Sequence, residues 1–394
     1  MAVVDGEHYA PVVRDALAGL DYRFVAAYLA GGTEKLRGDD DYGVPVVASL
    51  EDGLALGPDV VVDLSDEPVL GPRARLHLAS RVLAAGLPYV GADFRLDPPP
   101  FEPFEVPSLA VIGTGKRVGK TAIAGHVARL LATDRDVVVV SMGRGGPPEP
   151  EVVEAPPTVA DLLERSRAGL HAASDHLETA ALTGLTTIGC RRCGGGLAGA
   201  PFTSTVLEGG RIAAARGPDL VVFDGSGAAI PPVAAGARIL VAHDLDSGLN
   251  PYRALISDLV LTMDEGVAAA AEALGVPALE FELRLRPLEP LGGRRVAVFT
   301  AGPAPLGHLD GVVFSSPNLG DRQLLVRDLE RADADVYVVE LKAAAIDLVA
   351  ETAAARGIDV IPAANDVVAP GLDERVLELA EVAAGAEARD NLLR

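Results

Sequence analysis

One stretch, Val111-Ile-Gly-Thr-Gly-Lys-Arg-Val-Gly-Lys-Thr121, limits what this chain can fold into more than any other. The apolar run before it, Leu109–Ile112, reads as a buried strand, and Thr121–Leu131 reads as a helix. A glycine-rich turn between strand and helix aims several backbone N–H groups into one concavity, and the helix adds its N-terminal dipole. Such a turn holds phosphate, and it belongs to parallel α/β sheets. Gly113, Thr114, Gly115, Val118 and Gly119 would supply backbone N–H groups, with Lys116 and Arg117 as nearby cations. Lys120 would reach the β- and γ-phosphates of ATP, and the Thr121 hydroxyl would take a Mg²⁺ position. The strict pattern has glycine five residues before Gly119, where this chain has Thr114. A loop lysine adds little to a core, so Lys120→Ala is expected to leave the fold intact.

A second stretch, Asp219-Leu-Val-Val-Phe-Asp-Gly-Ser-Gly227, reads as an apolar strand ending in a carboxylate and then a tight turn. Asp224 there is the expected Mg²⁺ partner of Thr121, and its glycines allow close approach to a γ-phosphate. Lys116, Lys120 and Asp224 are the candidate catalytic residues.

Charge sharpens this expectation. The formal net charge is −22, aromatics make up 4% and Trp is absent. Nucleic-acid binding needs cations against phosphates and aromatic platforms for bases, so that class is excluded. The same field repels a polyanionic metabolite, so a phosphate site must be locally basic. Of 34 basic residues only Lys35, Lys116, Lys120 and Lys342 are lysines, and two of them stand in the phosphate loop. No apolar run approaches the ~18 residues of a membrane span. The N-terminus has no signal-peptide pattern, and two cysteines cannot form a disulfide scaffold. A cytoplasmic location is expected, with no membrane partner.

Along the chain, short apolar runs alternate with helical patterns, which predicts α/β architecture with parallel sheets. Five prolines within Asp97–Ser108 mark a stiff linker. A second break falls near Arg286–Pro290. The expected organisation is a Rossmann-like domain over 1–100, a P-loop catalytic domain over 106–285 and a small α/β domain over 290–394.

Other clusters are candidate substrate or metal contacts. Met142-Gly-Arg-Gly-Gly-Pro-Pro-Glu-Pro-Glu151 follows a buried strand, so Arg144 is placed to hold phosphate and Glu149 or Glu151 a Mg²⁺. Cys190-Arg-Arg-Cys193 permits a metal, redox or anion reading. A structural metal site needs four ligands and no second Cys pair exists, whereas Arg191 and Arg192 before three glycines suit an anion. Asp5, His8 and Lys35 follow the first two strands, at one sheet edge, and are candidate substrate contacts. Lys342 and Asp347 are weaker ones.

These motifs carry a resemblance. Gly113–Thr121 together with Asp224-Gly-Ser-Gly227 is similar to the dethiobiotin synthetase branch of P-loop proteins, whose loop reads G-T-x-x-x-V-G-K-T and whose later strand ends E-G-x-G-G. This chain has Asp in place of that Glu. Nearly the whole chain resembles the cyclic 2,3-diphosphoglycerate synthetase family through Asp5-Gly-Glu-His-Tyr9, the P-loop, Met142–Pro147, Cys190–Gly196 and Val339–Asp347. The resemblance implies ATP-driven closure of 2,3-diphosphoglycerate to its cyclic anhydride, with ADP and phosphate released, by a homodimer. Two alternatives stand: a nucleotide switch that controls a protein partner, and a ligase acting on another small anionic metabolite.

Overall fold

The structure of this chain, a computed structural model, describes residues 1–36, 41–168, 175–340 and 346–392. The described residues form three sheets and divide into two compact units.

The first unit comprises Met1–Pro100 with Asp244–Ile256 and Ala273–Val276. Its elements are β1 (Ala2–Val4), α1 (Ala10–Gly19), β2 (Ala27–Leu29), β3 (Val46–Val47), α2 (Leu50–Leu54), β4 (Val61–Asp63), α3 (Pro72–Ala84), β5 (Tyr89–Val90) and β6 (Arg95–Leu96). The strand order is β3-β2-β1-β4-β5-β6, parallel as far as β5. The order reverses between β1 and β4, the switch point where doubly wound sheets bind ligands. Val4, Val13, Leu17 and Ala27 are apolar side chains of this sheet's core.

The second unit begins with β7 (Ser108–Gly113), α4 (Lys120–Leu131), β8 (Val137–Gly143), β9 (Glu151–Val153), α5 (Val159–Arg167), α6 (Asp175–Thr183), β10 (Thr187–Cys193), β11 (Thr203–Ser204), α7 (Val206–Ala215), β12 (Leu220–Asp224) and β13 (Ala237–Ala242). Next comes α8 (Asn250–Leu255), which packs on α3 within the first unit. The central sheet then closes with β14 (Leu259–Thr262), α9 (Glu265–Ala273) and β15 (Ala278–Glu280). Its order is β11-β10-β8-β12-β7-β13-β14-β15, with β9 paired to β10. Val111, Val139, Val222, Ile239 and Leu261 all face one way and are buried, as a sheet covered on both faces requires.

A third sheet follows: β16 (Glu282–Pro287), β17 (Val296–Phe299), β18 (Val312–Ser316), α10 (Arg322–Arg331), β19 (Val336–Glu340), α11 (Ile346–Arg356), β20 (Asp359–Val368) and α12 (Leu372–Leu392). Its order is β16-β20-β19-β17-β18. β16 joins it antiparallel to β20, so this sheet starts at Glu282, ahead of the expected break near Arg286. Leu372, Val376 and Leu379 of α12 return to the core of the central sheet, beside α4. Leu162 of α5 and Leu177 of α6 share a core with Phe299 and Tyr337 of the third sheet. The central and third sheets are thereby joined by common cores. No helix among the described residues is long and apolar enough to cross a membrane.

Candidate active site

β7 is buried at every residue, and the chain leaves it at Gly113 into the loop and α4. Parallel pairing of β7 with β12 sets Asp224 opposite Val111, at the carboxyl end of the neighbouring strand. That register brings together two residues 104 positions apart: Lys120 Nζ donates to Asp224 Oδ1 at 2.5 Å. Both groups are buried, Lys120 at 8% exposure and Asp224 at 0%. A buried ion pair of this geometry fixes the ammonium before any phosphate arrives. Lys120 is therefore part of the buried structure, contrary to the expectation that it adds little to the fold.

The loop conformation explains its residues. Gly119 has φ +94°, and a side chain there would meet Phe281 at 3.0 Å, so glycine serves both backbone and packing. Val118 is in the core, which leaves only its N–H for a phosphate. Arg117 has φ +61° and is the only non-glycine with positive φ among the described residues. A left-handed arginine marks a constrained loop. Lys116 and Arg117 are exposed. Thr114 departs from the strict P-loop pattern for a visible reason. Its hydroxyl accepts from the His243 backbone N–H at 3.2 Å and lies within hydrogen-bond distance of His243 Nδ1, at 2.9 Å. The loop is thus tied to the end of β13. Sequence reasoning missed His243, because it stands 129 residues away and its partner is named only by the sheet order.

On the β12 side, two guanidiniums converge. A side chain at Gly227 would meet Arg144 at 2.9 Å and Arg192 at 3.6 Å, while Gly113 faces the Gly227 carbonyl. Arg192 is buried and donates to the carbonyls of Gly194 and Ser226 at 2.7 and 2.9 Å. Arg144 is exposed, and among the described residues it forms no ion pair, as is also true of Lys116 and Arg117. In a chain of net charge −22, three such cations around one loop are a locally basic site.

The Cys190–Cys193 segment is not a loop: it is the end of β10, and successive side chains alternate. Arg191 and Arg192 therefore point to opposite faces. Arg191 is exposed and donates from Nε to the Gly146 carbonyl at 3.2 Å, bracing the loop that carries Arg144. Cys190 and Cys193 also lie on opposite faces, roughly 10 Å apart along an extended strand, too far for a disulfide or a shared metal. Burial pushes the Cys190 thiol up to about 12, so it has little thiolate character.

Magnesium fits the donors present. The Asp224 carboxylate and Thr121 hydroxyl would both offer oxygen, and Mg²⁺ takes few protein ligands beside phosphates and water. Among the described residues, no group of three or more His, Cys, Asp or Glu side chains is arranged to hold a metal. Glu149 is exposed and without an ion pair among those residues. Its neighbour Glu151 instead pairs with Arg165 through two bonds of 2.8 and 3.0 Å. Burial raises the Glu151 carboxyl, but Arg165 and His176 outweigh this and hold it below the usual range.

In the first unit, Asp5 is fully buried at the end of β1. It accepts from the N–H groups of Glu7, His8 and Asp66 and lies 2.9 Å from His8 Nδ1. Burial pushes its carboxyl up, but the Asp66 N–H and the His8 contact hold it below the usual range. Asp5 and Asp66 stand at the β1/β4 switch point. Lys35 ends a short 3₁₀ turn, Thr33–Lys35. Lys342 lies outside the described residues, as does the side chain of Lys35. Asp347 pairs with Arg322.

Residues 1–97, 108–276 and 287–366 match the family models for the N-terminal, P-loop and C-terminal domains of cyclic 2,3-diphosphoglycerate synthetase. The synthetase of that name from Rubrobacter xylanophilus is 49% identical, covering 98% of each chain. Those from Thermococcus gammatolerans and Methanothermus fervidus are 40% and 36% identical over at least 97% of each chain. Among solved structures, LpxK from Aquifex aeolicus in complex with ATP aligns with a TM-score of 0.44 at 16% identity, covering 71% of this chain and 90% of its own.

Proposed function

The chain belongs to the cyclic 2,3-diphosphoglycerate synthetase family, and on that premise we propose that it closes 2,3-diphosphoglycerate to its cyclic anhydride with ATP, releasing ADP and phosphate. One observation carries the assignment of residues: Arg144 and Arg192 converge on Gly227 beside the buried Lys120–Asp224 pair. Cations thus stand on both sides of the place where a γ-phosphate and an anionic acceptor must meet. Unlike charges matter here because each pair of like charges at 4 Å costs ~1 kcal/mol in water and several-fold more in a dry site.

In the proposed reaction an oxygen of one substrate phosphate attacks the γ-phosphorus. The bond to the β,γ-bridging oxygen breaks, and that oxygen leaves with ADP. An oxygen of the second substrate phosphate then attacks the activated phosphorus, which closes the ring and expels inorganic phosphate. No nucleophilic side chain is required. Gly113, Gly115 and Gly119 present N–H groups to the phosphates, Lys120 grips the β- and γ-phosphates, and Lys116 meets the charge that develops between donor and acceptor. Arg144 and Arg192 hold the acceptor, and Arg191 braces the loop of Arg144. Mg²⁺, held by Thr121 and Asp224, would neutralise phosphate charge. Glu149 is proposed as a further ligand through water, supported only by its loop at the carboxyl end of β8. Asp5, His8 and Lys35 are proposed substrate contacts, supported by their place after β1 and β2.

The same reading takes the three-domain division, a homodimer and a cytoplasmic location as proposals, with no part for nucleic acid or membrane. The test is ADP release with and without 2,3-diphosphoglycerate, read beside ³¹P spectra of the product. One ADP should appear per ring closed, and Arg144→Ala and Arg192→Ala should raise the KM for 2,3-diphosphoglycerate by about tenfold or more while ATP binding holds. ATP turnover of equal rate without any acceptor would favour the nucleotide-switch alternative.

A further inference from the structure

The Lys120–Asp224 pair gives the bound nucleotide a direction. Lys120 and Asp224 mark the γ-phosphate end, and Asp224 belongs to β12. In the sheet, β7 stands between β12 and β13, so the nucleoside must leave the loop toward β13, β14 and β15. A cleft of about 640 Å³ lies on that side and opens on Arg117 and Gly119. One wall comes from the central sheet, with Met263 after β14 and Phe281 after β15. The other comes from the third sheet, with the Thr300–Pro305 turn after β17, Glu340 at the end of β19 and Asn365 of β20.

We propose that this cleft takes the adenine base, so that the third sheet supplies one wall of the ATP site and the group that selects the base. The proposal rests on the P-loop reading above. Volume and lining suit a planar heterocycle, since ligand pockets run to roughly 300–1,000 Å³ with apolar walls and a few convergent polar groups. Met263, 52% exposed, is an apolar side chain that a docked ring would cover. Charge separates this cleft from the acceptor side. Among the described residues its one cation is Arg117, set against Glu282 and Glu340, so these residues disfavour a substrate carrying two phosphates and a carboxylate. A neutral base meets no such cost.

The selecting group is Asn365. Its Nδ2 donates to Glu340 Oε1 at 2.7 Å, and Glu340 Oε2 accepts from the Ala301 N–H, also at 2.7 Å. With one amide N–H committed to a carboxylate, the amide oxygen and the second amide N–H are left for a ligand, an acceptor beside a donor. That pair matches the exocyclic amine and N7 of adenine, whereas guanine presents two acceptors, O6 and N7, and opposes the amide oxygen. The turn is preformed, because Thr300 Oγ1 donates to the Gly302 carbonyl at 2.7 Å.

The test uses the full-length enzyme with ATP, GTP, 2,3-diphosphoglycerate and inorganic tripolyphosphate, which carries the phosphates without a base. Ala304→Trp should fill the cleft and raise the ATP KM by about tenfold or more, with tripolyphosphate inhibition and the 2,3-diphosphoglycerate KM unchanged. Asn365→Ala should narrow the preference for ATP over GTP by about tenfold, and it decides the matter alone if Ala304→Trp does not fold. A rise in the 2,3-diphosphoglycerate KM in place of the ATP KM would overturn the proposal. Tripolyphosphate that competes normally beside an unchanged ATP KM and base preference overturns the nucleobase assignment alone. Tripolyphosphate that fails to compete with ATP in the parent enzyme overturns the P-loop reading, and this proposal with it.

Discussion

Lys120 and Asp224 are each the other's partner in a buried site, and that governs what removing either one does. Lys120→Ala leaves the Asp224 carboxylate without its ammonium, and breaking one side of a buried pair costs about 3–5 kcal/mol. The variant should therefore lose both ATP turnover and stability. Lys120→Ala combined with Asp224→Ala should regain part of the stability and none of the activity. Urea unfolding of the three variants checks this, and a Lys120→Ala chain as stable as the parent would show that the pair carries no structural weight. The thiols allow a second test. Cys193 is exposed, whereas Cys190 is buried with its thiol pushed up to about 12. A thiol-reactive probe at pH 8 should label one cysteine in the folded chain and a second only on unfolding; rapid labelling of both would place Cys190 at the surface. The phosphate loop was legible residue by residue because its chemistry is local. The reason for Thr114 was not, since it depends on His243 at the end of another strand.

At the scale of elements, strands with continuous apolar runs were legible, and β10 was not. Thr187–Cys193 carries a glycine and two arginines, so its hydrophobic run is short and its end looks like a loop. It is a strand because β8 pairs along it in parallel and β9 and β11 pair along its other edge. What packs against it fixes its neighbours: Gly209 of α7 is where the helix crosses, and a Cβ there would stand 2.3 Å from Cys190 Sγ. Gly→Ala inside a helix gains about 1 kcal/mol in propensity, while overpacking a core costs about 1–3 kcal/mol. The clash is with a buried sulfur on a short side chain, so the steric cost should win and Gly209→Ala should be destabilising. Cys190→Ala removes that sulfur. A double-mutant cycle should then show favourable coupling, the pair being more stable than the two single losses predict. Additive losses would mean that α7 shifts away freely.

For the whole molecule, alternating runs and the proline-rich stretch at Asp97–Ser108 announced several α/β layers, but not which distant pieces share a core. α12 returns to the central sheet and α8 joins the N-terminal unit because their apolar faces are covered there. Periodicity shows that a face is apolar; it does not name the surface that buries it. Net charge is a whole-chain property that the sequence states outright, and its consequence is kinetic. The value of −22 repels 2,3-diphosphoglycerate at long range, whereas Arg144, Arg192 and the loop cations attract it close by. Salt separates the two, because the Debye length falls from ~30 Å at 0.01 M to ~8 Å at 0.15 M and ~3 Å at 1 M. The first interval screens the distant acidic surface but leaves contacts within the site largely intact. With Mg²⁺ held constant, kcat/KM for 2,3-diphosphoglycerate should therefore rise between 0.01 and 0.15 M salt and fall toward 1 M as the arginine contacts are screened in turn. A steady decline from the lowest salt onward would mean that the basic site, rather than the acidic whole, sets the field an approaching substrate meets.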